Sequence, residues 1–386
     1  SATCVHLKVM RTLKISKANL HALIVGLVRG GRAESRANLA SMLKVAPSTM
    51  SLYVDQLIAA GWLKEAGLVQ GKTGRPKVRL ALEQASGWFA GLEFTASRVQ
   101  VVAVDFAGQV LQSQAYPIPS GAHAEAVILT LQDALRDMAK SIRTRLLGIG
   151  LGVPGLVDTE AGVCRYSVIF PSWRDVPLQK ILQRAFRVPV RLENNLRAIA
   201  LAERWFGGGR ATSDYVVLGP RSGFALAHVR EGRLTAGVHR GVGEVGLWPW
   251  PATGGSKQVH QVLSAPATWR RLAGLREDAA IPSDLNAAIA EHAADDTEAW
   301  HAVVEDFARV VGMTHLLIDA GIYFLHGPLV GLGERFCAAI GVRALALMPV
   351  LKDMPLKVVP SSLGDTAGGL GAASLVMEAW DPGLGD

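Results

Sequence analysis

The chain has 386 residues, of which 49% are hydrophobic and 19% are charged, and this length predicts two or three globular domains. It contains no uncharged apolar run of 18 residues and no apolar stretch near its start, so we expect neither a membrane-spanning helix nor a signal peptide. Three widely spaced cysteines, Cys4, Cys164 and Cys337, argue against a disulfide framework or a zinc site and favour the cytoplasm.

The charge of the chain is concentrated at its N-terminal end. The first 86 residues contain thirteen basic and four acidic side chains, a net charge of +9, whereas the remaining residues carry −2. A concentrated basic segment attracts a polyanion, and nucleic acid is the most common one. Charge alone leaves open the alternative of an inert basic surface.

The segment 17–82, called the head below, predicts a winged helix-turn-helix preceded by an N-terminal arm at residues 1–16. Apolar residues from Leu20 to Val28 have helical spacing, Ser35 is a suitable N-cap for a second helix, and Pro47 suits the first turn of a third. The polar face of the third helix is predicted to contact double-stranded DNA. Its candidate contact residues are Ser48, Thr49, Ser51 and Tyr53.

Alternation after the third helix predicts a two-stranded wing. The tip holds a Gly-Arg-Pro sequence, and we expect Arg75 to enter an A·T-rich minor groove while Lys72 and Lys77 contact phosphates. A three-helix bundle with a hairpin does not have to touch DNA. The combination of helices, wing and charge favours DNA binding over that alternative.

The rest of the chain predicts an internally duplicated α/β fold, because two strand-rich runs are each followed by helices. The first run begins near Gly87 and the second near Asp214. Between them lies a buried strand that ends in a Gly/Pro loop, Leu147–Gly155.

Several segments resemble the ROK family, named for repressors, unassigned reading frames and kinases. They are GLGVPGLVDTEAGVCRYSVIFPSWRDVPLQKILQRAFRVPVRLENNLRAIALAERWFGGGR (150–210), REGRLTAGVHRGVGEVG (230–246) and GDTAGGLGAAS (364–374). The resemblance implies an α/β body of actin/hexokinase-like (ribonuclease H-like) two-lobed architecture that follows an N-terminal winged helix-turn-helix. The small lobe would comprise 87–193 plus about 365–386, and 194–364 would form the large lobe with an oligomerisation surface for a homodimer or homotetramer.

The residues that the family's kinases use for phosphoryl transfer are absent from the matching positions. Asn195 stands where the kinases have an aspartate base, and an amide cannot accept a proton near neutral pH. The two phosphate loops match Glu93–Ser97 and Gly219–Gly223, which lack the family's glycine pattern. The zinc motif matches Gly243–Leu247 without its histidine. We therefore expect no catalytic residue, metal ion or cofactor.

A ligand site is still expected on the resemblance. Asn194 and Glu244 match family positions that hold sugar hydroxyls, and Asn195 adjoins them. Arg197, Arg221 and Arg240 replace small or neutral residues of the family, which favours an anionic effector over solvated surface charge.

The resulting prediction is a transcriptional repressor without kinase activity that binds a palindromic, A·T-rich operator and responds to a sugar-derived or anionic effector. Two alternatives remain open: a sugar kinase with a vestigial head, and a regulator whose effector pocket has lost its function.

Overall fold

The computed structural model of the chain describes residues 17–69, 77–119, 121–167, 169–170, 172–252, 255–351 and 353–384. They form two compact units. The first contains the described residues up to Glu193 and those from Ala372 onward, and the second is Asn194–Gly371. None of the helices in this part of the chain is both long enough and apolar enough to span a membrane.

The head consists of three helices and an antiparallel hairpin. The elements are α1 (Lys17–Arg29), α2 (Arg36–Leu43), α3 (Pro47–Ala59), β1 (Leu63–Val69) and β2 (Lys77–Leu82). Ser35 caps α2, as its sequence predicts, because its hydroxyl accepts a hydrogen bond from the backbone N–H of Asn38. Strand β1 continues through a bulge between Glu65 and Leu68 to Val69.

The first unit also contains a five-stranded sheet in the order β10-β6-β3-β4-β5. Strand β3 pairs antiparallel with β4 and parallel with β6, and every residue of β3 is buried. Helix α4 covers the sheet with Leu131 and Leu135. The strands are β3 (Trp88–Phe94), β4 (Arg98–Asp105), β5 (Val110–Pro117), β6 (Leu146–Val153) and β10 (Val190–Asn194); the helices are α4 (Ala124–Ser141) and α5 (Leu178–Phe186). A small antiparallel sheet comprises β7 (Leu156–Asp158), β8 (Val163–Tyr166) and β9 (Arg174–Val176).

The second unit is built around a sheet of the order β13-β12-β11-β16-β17. Its strands are β11 (Tyr215–Pro220), β12 (Phe224–Arg230), β13 (Arg233–Leu234), β16 (Ile322–Leu325) and β17 (Lys357–Pro360). A hairpin of β14 (Pro249–Ala252) and β15 (Gly255–Gln258) follows β13. The helices are α6 (Asn195–Phe206), α7 (Val259–Leu263), α8 (Ala265–Leu272), α9 (Leu285–Ala290), α10 (Glu298–Ile318), α11 (Gly333–Leu347) and α12 (Ala367–Glu378).

The two sheets have the same strand order. In each, three consecutive strands form an antiparallel meander, a fourth lies parallel to the first, and a fifth lies outside the fourth. This is the duplication that the sequence predicts.

The boundaries of the units differ in two respects from the expected domains. The described head belongs to the same unit as β3–β10, and the division near the C-terminus lies between Gly371 and Ala372, inside α12. Helix α12 therefore contributes residues to both units.

Candidate functional site

The N-terminal end of α3 carries exposed polar groups. Pro47 occupies the first turn, and Ser48 and Thr49 are exposed, while Ser51 is half-buried. Met50 faces the core of the head. The first backbone N–H groups of a helix have no partner within it and lie at the positive end of the helix dipole. Phosphate oxygens can accept hydrogen bonds there.

Tyr53 does not belong to this exposed face, and its prediction as a surface DNA contact is wrong. The residue is only 8% exposed, and its ring lies 4.8 Å from the ring of His21 in α1. The spacing Met50, Tyr53, Val54, Leu57 is itself the i, i+3, i+4, i+7 pattern of a buried helix face. That pattern could have placed Tyr53 in the core from the sequence, and it leaves Leu52, which is 56% exposed, on the outer face.

The wing residues are described only in part. Lys72 and Arg75 lie outside the described residues, so their predicted contacts stay predictions. Lys77 begins β2, is exposed, and pairs with Val69 across the hairpin.

The candidate ligand residues of the second unit begin at the N-terminus of α6. Asn194 is the N-cap, and its side-chain oxygen accepts hydrogen bonds from the backbone N–H groups of Leu196 (3.0 Å) and Arg197 (3.4 Å). The side-chain oxygen of Asn195 also accepts from Leu196 N–H, at 2.9 Å. The oxygen of Asn194 thus stabilises the helix, and contact with a ligand would have to use its amide nitrogen.

Arg197 has a structural role that the sequence did not indicate. The residue is 3% exposed, and its Nη2 donates hydrogen bonds to the carbonyl oxygens of Arg240 and Val242, the latter at 3.1 Å. Its guanidinium thus holds the segment Gly237–Gly243 against α6. The prediction that Arg197 offers its charge to an anionic ligand is wrong for this conformation, because backbone carbonyls occupy Nη2 and the side chain is out of reach of solvent.

Arg240 and Glu244 lie on the segment that Arg197 holds. Arg240 is half-buried and has a left-handed backbone conformation with φ 58°. Glu244 is exposed; partial withdrawal from water raises the pKa of its carboxyl, whereas the guanidinium of Arg197 lowers it. Beside Glu244 lies a depression of about 240 Å³, whose apolar wall includes Leu226, Trp248 and Leu317.

Arg221 lies in a different group of residues, with His326 and Asp365. Its backbone N–H donates to the carbonyl of Gly223 (2.9 Å), and its side-chain stem lies against Gly327. Burial and the charge of Arg221 lower the pKa of the neighbouring His326 to about 3, against the opposing effect of Asp365. Arg197, Arg240 and Glu244 thus form one cluster, and Arg221 belongs to another with His326 and Asp365.

The segment 243–247, which lacks the zinc histidine, ends in the short 3-10 helix Val245–Leu247. Trp248 and Trp250, which follow it, pack against the core of the second unit. Within the described ranges, no three His, Cys, Asp or Glu side chains are arranged to hold a metal ion.

The strand order of the two units and the segments around Asn194 and Glu244 can be compared with known proteins. The family model described as "ROK family" matches residues 89–379. The chain belongs to the ROK family. The match includes the candidate ligand residues from Asn194 to Glu244, and the head, 17–82, lies outside it.

Two curated relatives are named as regulators. The chain is 28% identical over 229 residues to the xylose repressor of Caldicellulosiruptor bescii, covering 58% of this chain and 57% of that protein. It is 24% identical over 217 residues to the DNA-binding transcriptional dual regulator NagC of Escherichia coli K12, covering 55% of this chain and 52% of that protein. The match therefore spans about half the length of these relatives.

Solved structures show the same fold. A ROK family transcriptional regulator, a homolog of the E. coli MLC protein, aligns with a TM-score of 0.77 at 21% identity and covers 93% of this chain and 95% of its own. A ROK family glucokinase from Streptomyces griseus, in complex with glucose and AMPPNP, aligns with a TM-score of 0.63 at 20% identity, over 75% of this chain and 99% of its own. At these identities the likeness concerns the fold alone.

Proposed function

We propose that this chain is a DNA-binding transcriptional repressor, with a winged helix-turn-helix head and a ROK body that binds a small-molecule effector without phosphorylating it. The observation that carries this proposal is the exposed N-terminal turn of α3, where Ser48 and Thr49 stand in a segment of net charge +9. The names of the two curated relatives support the same function.

DNA binding is tested by selecting duplexes from a random-sequence pool with the intact chain and measuring affinity by fluorescence anisotropy. Thr49→Asp places a negative charge against the phosphates and should weaken binding at least tenfold. Ser283→Asp makes the same change of charge at an exposed position of the second unit and should stay within about twofold. Equal losses in both variants would contradict the assignment of α3 as the DNA-contacting helix.

Arg197 is left out of the residues proposed to contact the effector, because it donates hydrogen bonds to backbone carbonyls. We propose a sugar-derived ligand whose hydroxyls bind Glu244 and the amide of Asn194, and whose acidic substituent, where it has one, lies toward Arg240. Calorimetry with neutral sugars, sugar acids and sugar phosphates tests this. Glu244→Gln should weaken the best ligand about tenfold, and an unchanged affinity would exclude Glu244 from the site.

Absence of kinase activity is part of the proposal and follows from Asn195, whose amide cannot act as a general base. A coupled assay of ATP consumption with the same sugars should show no turnover. Asn195→Asp alone should also show none, since the segments Glu93–Ser97 and Gly219–Gly223 lack the backbone pattern that holds phosphates. Turnover by the unaltered chain would favour a sugar kinase instead.

A repressor that reads a palindrome works as a dimer, which presents two heads to two half-sites. We propose that a second copy packs on the C-terminal half of α10, where Met313 and Leu316 are 44% and 53% exposed.

A further inference from the structure

Arg29 and a group of aromatic rings contact both the head and the rest of the first unit. Arg29, the last residue of α1, donates from Nε to the carbonyl of Phe106 at 3.0 Å and from Nη1 to the carbonyl of Met377 in α12 at 2.8 Å. Its guanidinium lies 4.7 Å from the centre of the Phe106 ring. The side chain is half-buried as a whole, but Nη2 is shielded from solvent, so the charged end points inward.

The aromatic group lies beside this arginine. Trp62, the residue before β1, lies 4.9 Å from the ring of Phe106 and 4.5 Å from that of Trp380, which follows α12. The guanidinium of Arg145 also lies over Trp62, 4.5 Å from the ring centre. The head therefore contacts the end of α12 through both Arg29 and Trp62.

Arg29 keeps its charge at this position. Burial lowers its pKa to about 10, and the carboxylates of Asp105 and Glu378 oppose that change. At neutral pH the guanidinium is protonated, so its N–H donors remain available to the two carbonyls.

Helix α12 makes backbone contact with both units. In the second unit, a methyl group placed on Gly371 would lie 1.8 Å from the carbonyl oxygen of Ala198 in α6. In the first unit, a methyl group on Gly150 of β6 would lie 1.7 Å from the carbonyl oxygen of Ala372. Backbones can approach this closely only where the residue is glycine. The packing is so tight that α12 cannot move past Ala198 or Gly150 without displacing them.

The contact in the second unit adjoins the candidate ligand site. Ala198 follows Arg197, the residue that holds Gly237–Gly243 and acts electrostatically on Glu244. Within the second unit, contacts thus run from the Glu244 segment through Arg197 and α6 to Gly371. Within the first unit, they run from Met377 to Arg29 in the head, and α12 contains both Gly371 and Met377.

We propose that α12 couples the ligand site to the DNA-binding head, and that Arg29 is the positioning residue through which the head follows this helix. The inference rests on the proposed function. An effector that shifts the Arg197-held segment changes the position of α12, and Arg29 transmits that change to α1. Coupling of this kind is reciprocal, so DNA bound to the head must also act on α12.

Reciprocity allows a test before the effector is known. Hydrogen exchange followed by mass spectrometry is measured on the intact chain with and without the A·T-rich duplex recovered by selection. In the unaltered chain the duplex should slow exchange of the amides in 372–378 at least threefold. In Arg29→Met, which keeps an apolar stem without donors, the duplex should still bind but leave exchange in 372–378 unchanged. Arg29→Lys, which keeps the charge but not the fork, should give a smaller change than the unaltered chain.

Arg36→Met is the matched control, because Arg36 is an arginine of the head whose ion pairs, to Asp55 and Glu65, stay within the head. It should retain the response in 372–378. The proposal is overturned if Arg29→Met retains the full response, or if the duplex binds the unaltered chain without any effect on 372–378. Failure of every duplex to bind, read directly by anisotropy, would instead overturn the proposed function and the coupling with it. Unchanged exchange in β3 shows that each variant is folded.

Discussion

Two arginines of this chain, one in each unit, make the same kind of contact. Arg29 in the first unit and Arg197 in the second each turn a guanidinium away from solvent and donate to backbone carbonyls of a distant segment. Arg29 joins the end of one helix to the end of another, whereas Arg197 holds the loop that carries Glu244. In both places a single side chain satisfies carbonyls that lie in a turn or at a helix end.

The difference between them lies in what surrounds the guanidinium. Arg29 lies beside aromatic rings, with Asp105 and Glu378 opposing the effect of burial on its pKa, whereas Arg197 acts electrostatically on Glu244 at the edge of a depression. An arginine at a family position that is usually small is therefore insufficient reason to expect an anionic ligand. Its fork also suits two adjacent carbonyls.

The largest effect should come from the aromatic support of Arg29. Trp62 is 6% exposed and touches both Phe106 and Trp380, so Trp62→Ala removes a large buried side chain. We expect a loss of about 3–5 kcal/mol in the free energy of unfolding, measured by urea denaturation. The exposed Leu52→Ala should cost less than about 0.5 kcal/mol. Similar small losses in both would mean that the head is not held by this cluster.

A second effect should arise where α12 links the surroundings of the two arginines. Gly371→Ala brings a methyl group against the carbonyl oxygen of Ala198 and should cost about 3 kcal/mol, because neither backbone can move away freely. Gly26→Ala is the control: it lies within α1 with no atom within 4 Å of the added methyl, and it should stabilise the protein by about 0.5–1 kcal/mol. Thermal unfolding of both variants separates the two signs, and a stable Gly371→Ala protein would contradict close contact at this point.

A third prediction distinguishes a structural from a ligand-binding role for Arg197. Arg197→Met leaves the carbonyls of Arg240 and Val242 without their donor and should cost about 2 kcal/mol. The exposed Arg191→Met in β10 should cost less than about 0.5 kcal/mol. If urea denaturation finds Arg197→Met as stable as the unaltered chain while calorimetry finds ligand binding lost, the ligand role is restored.

Local patterns in the sequence predicted the elements well because their causes are local. Ser35 and Pro47 fix the starts of α2 and α3, and continuous apolar runs give the central strands of both sheets. The spacing of Tyr53 to Met50 and Leu57 also indicates a buried position. The prediction of a DNA contact rested on its hydroxyl group instead.

The two arginines could not be assigned in the same way. Arg29 bonds to Met377, 348 residues away, and Arg197 to Val242, 45 residues away. No periodicity or spacing connects such pairs, since the partners are carbonyl groups that every residue carries. Only the folded structure distinguishes an arginine that donates to backbone carbonyls from one that lines a ligand site.

The smallest predicted effect concerns an acid on the same helix as Arg197. Glu203 is fully buried in α6, accepts hydrogen bonds from the Ser361 hydroxyl and from the Gly208 N–H, and burial raises the pKa of its carboxyl above the ordinary value of 4.5 despite these donors. A raised folded-state pKa means that the unfolded chain loses this proton first. The stabilising contribution is therefore complete below pH 4.5 and is lost as pH rises through the folded-state pKa.

Glu203→Gln removes this dependence, so urea denaturation should show the variant gaining stability relative to the unaltered chain as pH rises through that window. Glu277→Gln is the control of opposite sign: Lys257 lowers the pKa of this exposed carboxyl, and its effect should be weak. A Glu203→Gln protein whose stability relative to the unaltered chain stays constant with pH would show that burial in α6 does not hold a proton on this carboxyl.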